Sequence, residues 1–274
     1  MSQSICEIVT TGNELLIGKT LNTNAQWLSR RITSLGIDIT RITVASDSVE
    51  EISQILREVL QRKPNFVITV GGLGPTFDDK TLQGIAVALG VELKLEDQAK
   101  RMVEDKYKKY VAEGEMETVE LTPHRLKMAT LPQGAKPLTN PVGTAPGVII
   151  RKDDTTIIAL PGVPPEMEAI FDDSVIPILK KAAGNRTFFE TSIIVTGVME
   201  SVAAPLVEAV MHDNPYVYIK SHPKLKEKSF NLEFHLSTMA EDSKIAKNRV
   251  VKALLQLTET IQAKGGKTKP IAQP

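Results

Sequence analysis

Three stretches of this sequence combine residue types that bind anions and cations. The richest is Gly71-Gly72-Leu73-Gly74-Pro75-Thr76-Phe77-Asp78-Asp79-Lys80-Thr81. Three glycines let a chain turn with its N–H groups exposed, and a helix starting nearby adds partial positive charge, so the segment suits a phosphate. The Gly-Lys-Ser/Thr ending of a Walker loop is absent. Adjacent Asp78 and Asp79 would repel a phosphate unless a divalent cation or a proton lay between them. Magnesium is held in this way, by one or two carboxylates with substrate oxygens. The simpler alternative is a tight turn in which one Asp caps the next helix, and it leaves the second Asp unexplained.

The second stretch is Thr10-Thr11-Gly12-Asn13-Glu14-Leu15-Leu16-Ile17-Gly18. Thr11, Asn13 and Glu14 have the chemistry to bind ribose hydroxyls, a base edge or a metal-bound water; a loop in which Asn13 and Glu14 cap backbone groups uses the same residues. Asn22 and Asn24 precede a helical pattern, and one of them is expected as its N-cap. Asp47 follows another strand pattern and suits either a metal or ribose ligand or a helix cap. The third stretch pairs Asn140-Pro141-Val142-Gly143-Thr144-Ala145-Pro146-Gly147 with Leu160-Pro161-Gly162-Val163-Pro164-Pro165-Glu166-Met167. Proline and glycine at this density make rigid turns. Several such turns at one sheet edge point to a pre-formed pocket.

Other chemistries are poorly supplied. The single cysteine, Cys6, excludes an internal disulfide framework and sits in an apolar run, so it reads as packing. His124, His212, His222 and His235 lack metal-ligand spacing, and there is no Gly-x-Ser-x-Gly elbow. Lys and Arg total 33, as do Asp and Glu, which gives no global electrostatic case for nucleic acid or an anionic membrane. Lys220, His222, Lys224, Lys226 and Lys228 alternate along an extended arm, read as a solvated hairpin with phosphate contact as the lesser option. No apolar run approaches the roughly 20 residues needed to span a bilayer, nor is there a signal peptide, so a cytoplasmic protein is expected.

The elements that must position these residues follow from periodicity. Strands are expected over 5–9, 37–44 and 66–70, alternating with helices marked by Ala25, Leu28, Ile32 and Leu35, by Ile52, Ile55, Leu56 and Val59, and by Leu82, Ile85, Ala86 and Leu89. Ser48-Val49-Glu50-Glu51 fits a capping box. Such alternation predicts right-handed crossovers and a doubly wound, mostly parallel α/β sheet. Then come a long charged helix over 95–111, a hairpin of strands 147–151 and 156–160, and a helix from Pro164 that Pro177 should kink or split. The pattern changes near Gly184-Asn185. Strands at 191–195, 216–220 and 229–237, with helices at 202–211 and 241–262, predict a small α+β domain over 185–264 after a larger domain over 1–184. Residues 265–274 read as a flexible tail.

Gly12-Asn13-Glu14-Leu15-Leu16, Gly71 to Thr76 with Asp78-Asp79, Gly143-Thr144-Ala145-Pro146-Gly147 and Leu160-Pro161-Gly162-Val163-Pro164 resemble, in order and spacing, the motifs of the CinA family, named for competence and damage inducibility. Gly197-Val198-Met199-Glu200-Ser201 is similar to the opening of that family's following small domain. The resemblance implies a MoaB/Mog-like molybdopterin-binding fold and a divalent-metal-dependent pyrophosphatase that splits ADP-ribose, or a related dinucleotide, into AMP and a sugar phosphate. It also implies a homo-oligomer, dimer or trimer. Longer members carry a C-terminal nicotinamide-mononucleotide deamidase domain; this chain ends at Pro274, so a short form without it is expected.

On that basis Gly71, Gly72, Gly74 and Thr76 hold a phosphate, and Asp78 and Asp79, with Glu14 or Asp47, take the cation, Mg2+ or similar. Lys80 adds positive charge. Gly12, Asn13, Asn22 and Asn24 contact the nucleoside, and Gly143, Thr144, Pro161 and Gly162 close the pocket. Two rivals stand beside this nucleotide hydrolase: molybdopterin binding or adenylyl transfer, and a non-catalytic nucleotide-binding module.

Overall fold

Phe66–Val70 is buried at every position in the computed structural model, which describes residues 4–226 and 229–271. A strand buried on both faces belongs at the centre of a sheet covered by helices on either side, and this strand, β3, lies there. Along the chain run β1 (Ile5–Thr11), α1 (Asn13–Leu16), α2 (Thr23–Ser34), β2 (Asp38–Ala45), α3 (Val49–Gln61), β3, α4 (Thr81–Leu89), β4 (Leu93–Leu95) and α5 (Asp97–Ala112). Then follow α6 (Pro123–Lys127), β5 (Thr130–Pro132), β6 (Lys136–Leu138), β7 (Gly147–Lys152), β8 (Thr155–Leu160), α7 (Pro164–Ile170) and α8 (Ile176–Ala183).

The main sheet has the order β2-β1-β3-β8-β7-β6. The first four strands are parallel, whereas β7 is antiparallel to both β8 and β6. Val9, Val67 and Ile157 point into one core with Ile52, Leu56, Ile85, Val103 and Leu131. Ile8, Ile68 and Ile158, in register across three strands, are fully buried, and by the period of two they serve the other face. Trp27 meets Phe171 edge-on at 5.3 Å between ring centroids. At the far end of β1 the buried carboxylate of Glu7 takes both prongs of Arg62, at 2.8 and 2.7 Å.

Several local expectations need correction. Ser48 caps α3 by accepting from the Glu51 N–H, but the Glu51 carboxylate turns to Ser46, so the capping box is half made. The charged helix begins at Asp97 rather than Leu95, because the Glu96 side chain accepts from the Ala99 N–H at 2.6 Å and fixes the start there. The helix from Pro164 is divided, one of the two outcomes expected of Pro177, but the division lies ahead of the proline: a π-helical segment, Phe171–Val175, separates α7 from α8. Widening the preceding turn relieves the clash of a proline ring with the carbonyl four residues back.

The described residues form two compact units, one running to Ala183 apart from Ser34–Gly36, the other containing those three residues and the chain from Gly184. The second holds β9 (Thr187–Thr196), α9 (Glu200–Asp213), β10 (Tyr218–Lys226), β11 (Ser229–Ala240), α10 (Ser243–Ala263) and β12 (Lys267–Pro270). Its sheet, ordered β10-β11-β9-β12, is antiparallel throughout. Leu232, Phe234 and Leu236 of β11 pack with Val207, Val210, Val250 and Leu257 of the two helices. Residues 267–270 are therefore an edge strand paired with β9, not part of a loose tail. Gly265, at φ +80°, turns the chain back after α10, and a proline is tolerated on an edge. In the basic arm, Lys224 pairs with Glu233 at 3.1 Å. The Lys226 side chain and Lys228 lie outside the described residues.

Candidate functional site

β1, β3 and β8 all end at one rim of the main sheet, and antiparallel β7 starts there, so four loops converge. They enclose a cleft of about 430 Å³, the size of a small-ligand site. Its wall after β3 is the glycine loop. Gly71 donates to the Leu160 carbonyl at 3.0 Å, tying two strand ends together. Gly72 sits at φ +66°, and a Cβ there would lie 2.4 Å from the hydroxyl oxygen of buried Thr81. That hydroxyl donates to the Gly71 carbonyl at 2.8 Å and lies 3.1 Å from the Thr11 hydroxyl, so the turn is fixed from below. Among the described residues the N–H groups of Gly72, Leu73 and Gly74 make no hydrogen bond, and all three residues line the cleft, with the Asp79 carboxylate packed beside Gly74. Consecutive unpaired N–H groups form an anion-binding concavity.

The acidic pair is built into the same loop. Asp79 accepts from the Thr76 N–H at 2.8 Å and from its hydroxyl at 2.6 Å; the Thr76 hydroxyl also reaches Asp78. The residue capping α4 is Lys80, without a side-chain hydrogen bond, so neither Asp serves as that helix's cap. The Thr76 hydroxyl holds Asp78 below the usual carboxylate range, helped by the charges of Lys127 and Lys80. Asp47 accepts from the Asn13 N–H at 2.9 Å, while Ser48, not Asp47, caps α3. Burial pushes the Asp47 carboxyl upward, and the charges of Glu14, Asp78 and Asp79 add to the rise.

Opposite stand the loops around β7 and β8. Asn140 organises the first, accepting from the N–H groups of Val142 and Gly143 and donating to the Ala145 carbonyl and the Glu166 carboxylate, the last at 2.6 Å. A Cβ on Gly143 would fall 1.9 Å from that carboxylate, so glycine there lets Glu166 approach.

Of the residues singled out from sequence, Gly12, Glu14, Asp47, Gly71, Gly72, Gly74, Thr76, Asp78, Asp79, Thr144, Pro161 and Gly162 line this cleft. Five do not. Asn22 caps α2 through Ala25 and bonds Thr10, a structural task. Asn24 lies inside α2 and donates to the Gly162 carbonyl at 2.8 Å; its buried Oδ1 has no partner. Asn13 is engaged with Asp47, Lys80 starts α4, and Gly143 stands behind Glu166. Glu166, Tyr107 and Met128 line the cleft without having been nominated. His124 and Lys127 of α6 meet the acidic loop from outside, at the Pro75 and Thr76 carbonyls.

Among the described residues no three His, Cys, Asp or Glu side chains form a ready-made metal cluster. An exposed and a half-buried carboxylate, Asp78 and Asp79, on one cleft do fit a cation whose remaining ligands are substrate oxygens and water.

Residues 7–181, well over half of the chain, match the family described as a probable molybdopterin binding domain. A protein of Sulfurisphaera tokodaii is 42% identical over 95% of this chain and 96% of its own length. One of Caldivirga maquilingensis is 44% identical over 91% and 94%. Among solved structures, the protein CinA of unknown function from Thermoplasma acidophilum is 38% identical with a TM-score of 0.57, covering 66% of this chain and 99% of that one. With its four-loop cleft on a mostly parallel sheet, the chain belongs to the molybdopterin-binding domain family, as a CinA-like member.

Proposed function

We propose that the cleft binds a phosphorylated pterin of the molybdopterin class, with its phosphate on the N–H groups of Gly72, Leu73 and Gly74. The observation that carries this reading is that row of unpaired donors in a cleft of about 430 Å³, in a chain of the molybdopterin-binding domain family. The test is calorimetric titration of the full chain with molybdopterin. Submicromolar binding that Gly72→Ala weakens about tenfold or more supports it, since the added methyl would meet Thr81 and swing the loop's N–H groups off the phosphate, at the scale of one charge-assisted hydrogen bond. Absence of binding overturns it.

A second reading is favoured by one specific observation: Asp78 and Asp79 both line the cleft, and neither caps α4. In it the ligand is a nucleotide pyrophosphate such as ADP-ribose, split to AMP and a sugar phosphate. Asp78 and Asp79 would hold a divalent cation, with Asp47 and Glu14 close enough to orient its waters. When bound, that ion supplies charge neutralisation on the pyrophosphate and a more acidic water. The glycine loop holds one phosphate, and the loops bearing Thr144 and Gly162 limit access of bulk water. Magnesium-dependent AMP release from ADP-ribose, abolished in Asp79→Ala at unchanged melting temperature, is the expected result. Hydrolysis unaffected by Asp79→Ala would remove the acidic pair from the chemistry. Association into dimers or trimers belongs to the same proposal and is read from light-scattering mass. No helix among the described residues is long and apolar enough to cross a membrane.

A further inference from the structure

Both carbonyls that lead into the acidic pair are gripped from one short helix. α6 places His124 and Lys127 three residues apart, hence on one face. His124 Nδ1 lies 3.2 Å from the Pro75 carbonyl, and Lys127 Nζ donates to the next one, that of Thr76. Thr76 is also the residue whose N–H goes to Asp79 and whose hydroxyl reaches both carboxylates. The ammonium is thus a single residue removed from each acid. Lys127 is half-buried beside a second, largely apolar cavity of about 390 Å³ that Leu73, Leu82, Leu126 and Asp79 also line. Burial lowers its pKa, while the charges of Asp79 and Asp78 oppose the fall.

We infer that Lys127, backed by His124, is the positioning residue of the acidic loop: its bond to the Thr76 carbonyl keeps Asp78 and Asp79 turned to the cleft to receive a divalent cation. The inference rests on the cation-binding reading above. A lysine beside two acids has a second, opposite role open to it, that of a charge repelling any incoming cation. The two roles differ in sign. Loss of a repelling charge strengthens cation binding, whereas loss of a positioning bond weakens it.

The test titrates Tb3+, as a luminescent probe, into the full chain and into Lys127→Met, Lys127→Arg and Asp79→Asn. In parallel it follows amide exchange across residues 71–81. Lys127→Met should weaken Tb3+ binding about tenfold despite the lost positive charge, the scale of one hydrogen bond to a charged donor. Lys127→Arg should recover most of it, with the melting temperature unmoved. Loop amides should exchange about tenfold faster in Lys127→Met, while those of α10 keep their rate. Tighter Tb3+ binding in Lys127→Met, or unchanged loop exchange, overturns the positioning role. Equal Tb3+ affinity in the wild type and Asp79→Asn overturns the cation reading, and with it the purpose assigned to Lys127.

Discussion

At the scale of single residues, Asp47 and Gly72 carry opposite kinds of constraint. Burial and three neighbouring carboxylates raise the Asp47 pKa above its ordinary 3.8. Over the window between that value and the raised one, the folded chain keeps a proton that the unfolded chain has lost. Stability therefore falls as pH rises through the window. Asp47→Asn, which keeps an acceptor for the Asn13 N–H, should flatten this decline in denaturant titrations run from acid to neutral pH. Gly72 is limited by space and by φ +66°, since an added methyl would stand 2.4 Å from Thr81 Oγ1. Gly72→Ala should cost about 1–3 kcal/mol of stability by chemical denaturation, the range for a strained left-handed residue. Gly71 to Asp79 were legible in the sequence because glycine density and paired acids are local signals. Glu166 and Lys127 were not, because their importance comes from Asn140 and Thr76, residues distant in the chain that only the fold brings near. Asn22 is the cap expected of one of the two asparagines, and the same amide was also assigned a ligand because in front of a helix its chemistry is the same whether it caps or binds.

At the scale of elements, close helix packing is the sharper constraint. α3 and α4 approach so tightly that a Cβ on Gly84 would lie 2.4 Å from the Ile52 methyl. Gly84→Ala should destabilise by about 1–3 kcal/mol through overpacking, read from the denaturation midpoint, with the cleft residues untouched. The parallel strands and long helices were readable because a period of 2 or 3.6 repeats several times within them. α6, β4, β5 and β6, three to five residues each, are too short for any period to show. β12 was hidden by its Lys and Pro content and by the two glycines just before it; backbone pairing with β9, not side-chain pattern, makes it a strand. The π segment was likewise invisible, since Pro177 marks a disturbance without saying on which side the helix will yield.

At the scale of the molecule, each unit has its own core. Phe234 is among the largest fully buried side chains of the second. Phe234→Ala should cost that unit about 3–5 kcal/mol, seen as faster amide exchange in β9 and β11. In the first unit, the reversal of β7 has a practical corollary. It puts the connection between β7 and β8 at the end of the sheet away from the cleft. There Asp153 adopts φ +52° and the Asp154 side chain is 99% exposed. A fluorophore-bearing or affinity peptide spliced between these two aspartates would leave the ligand rim untouched, giving a handle for immobilising the protein mouth outward.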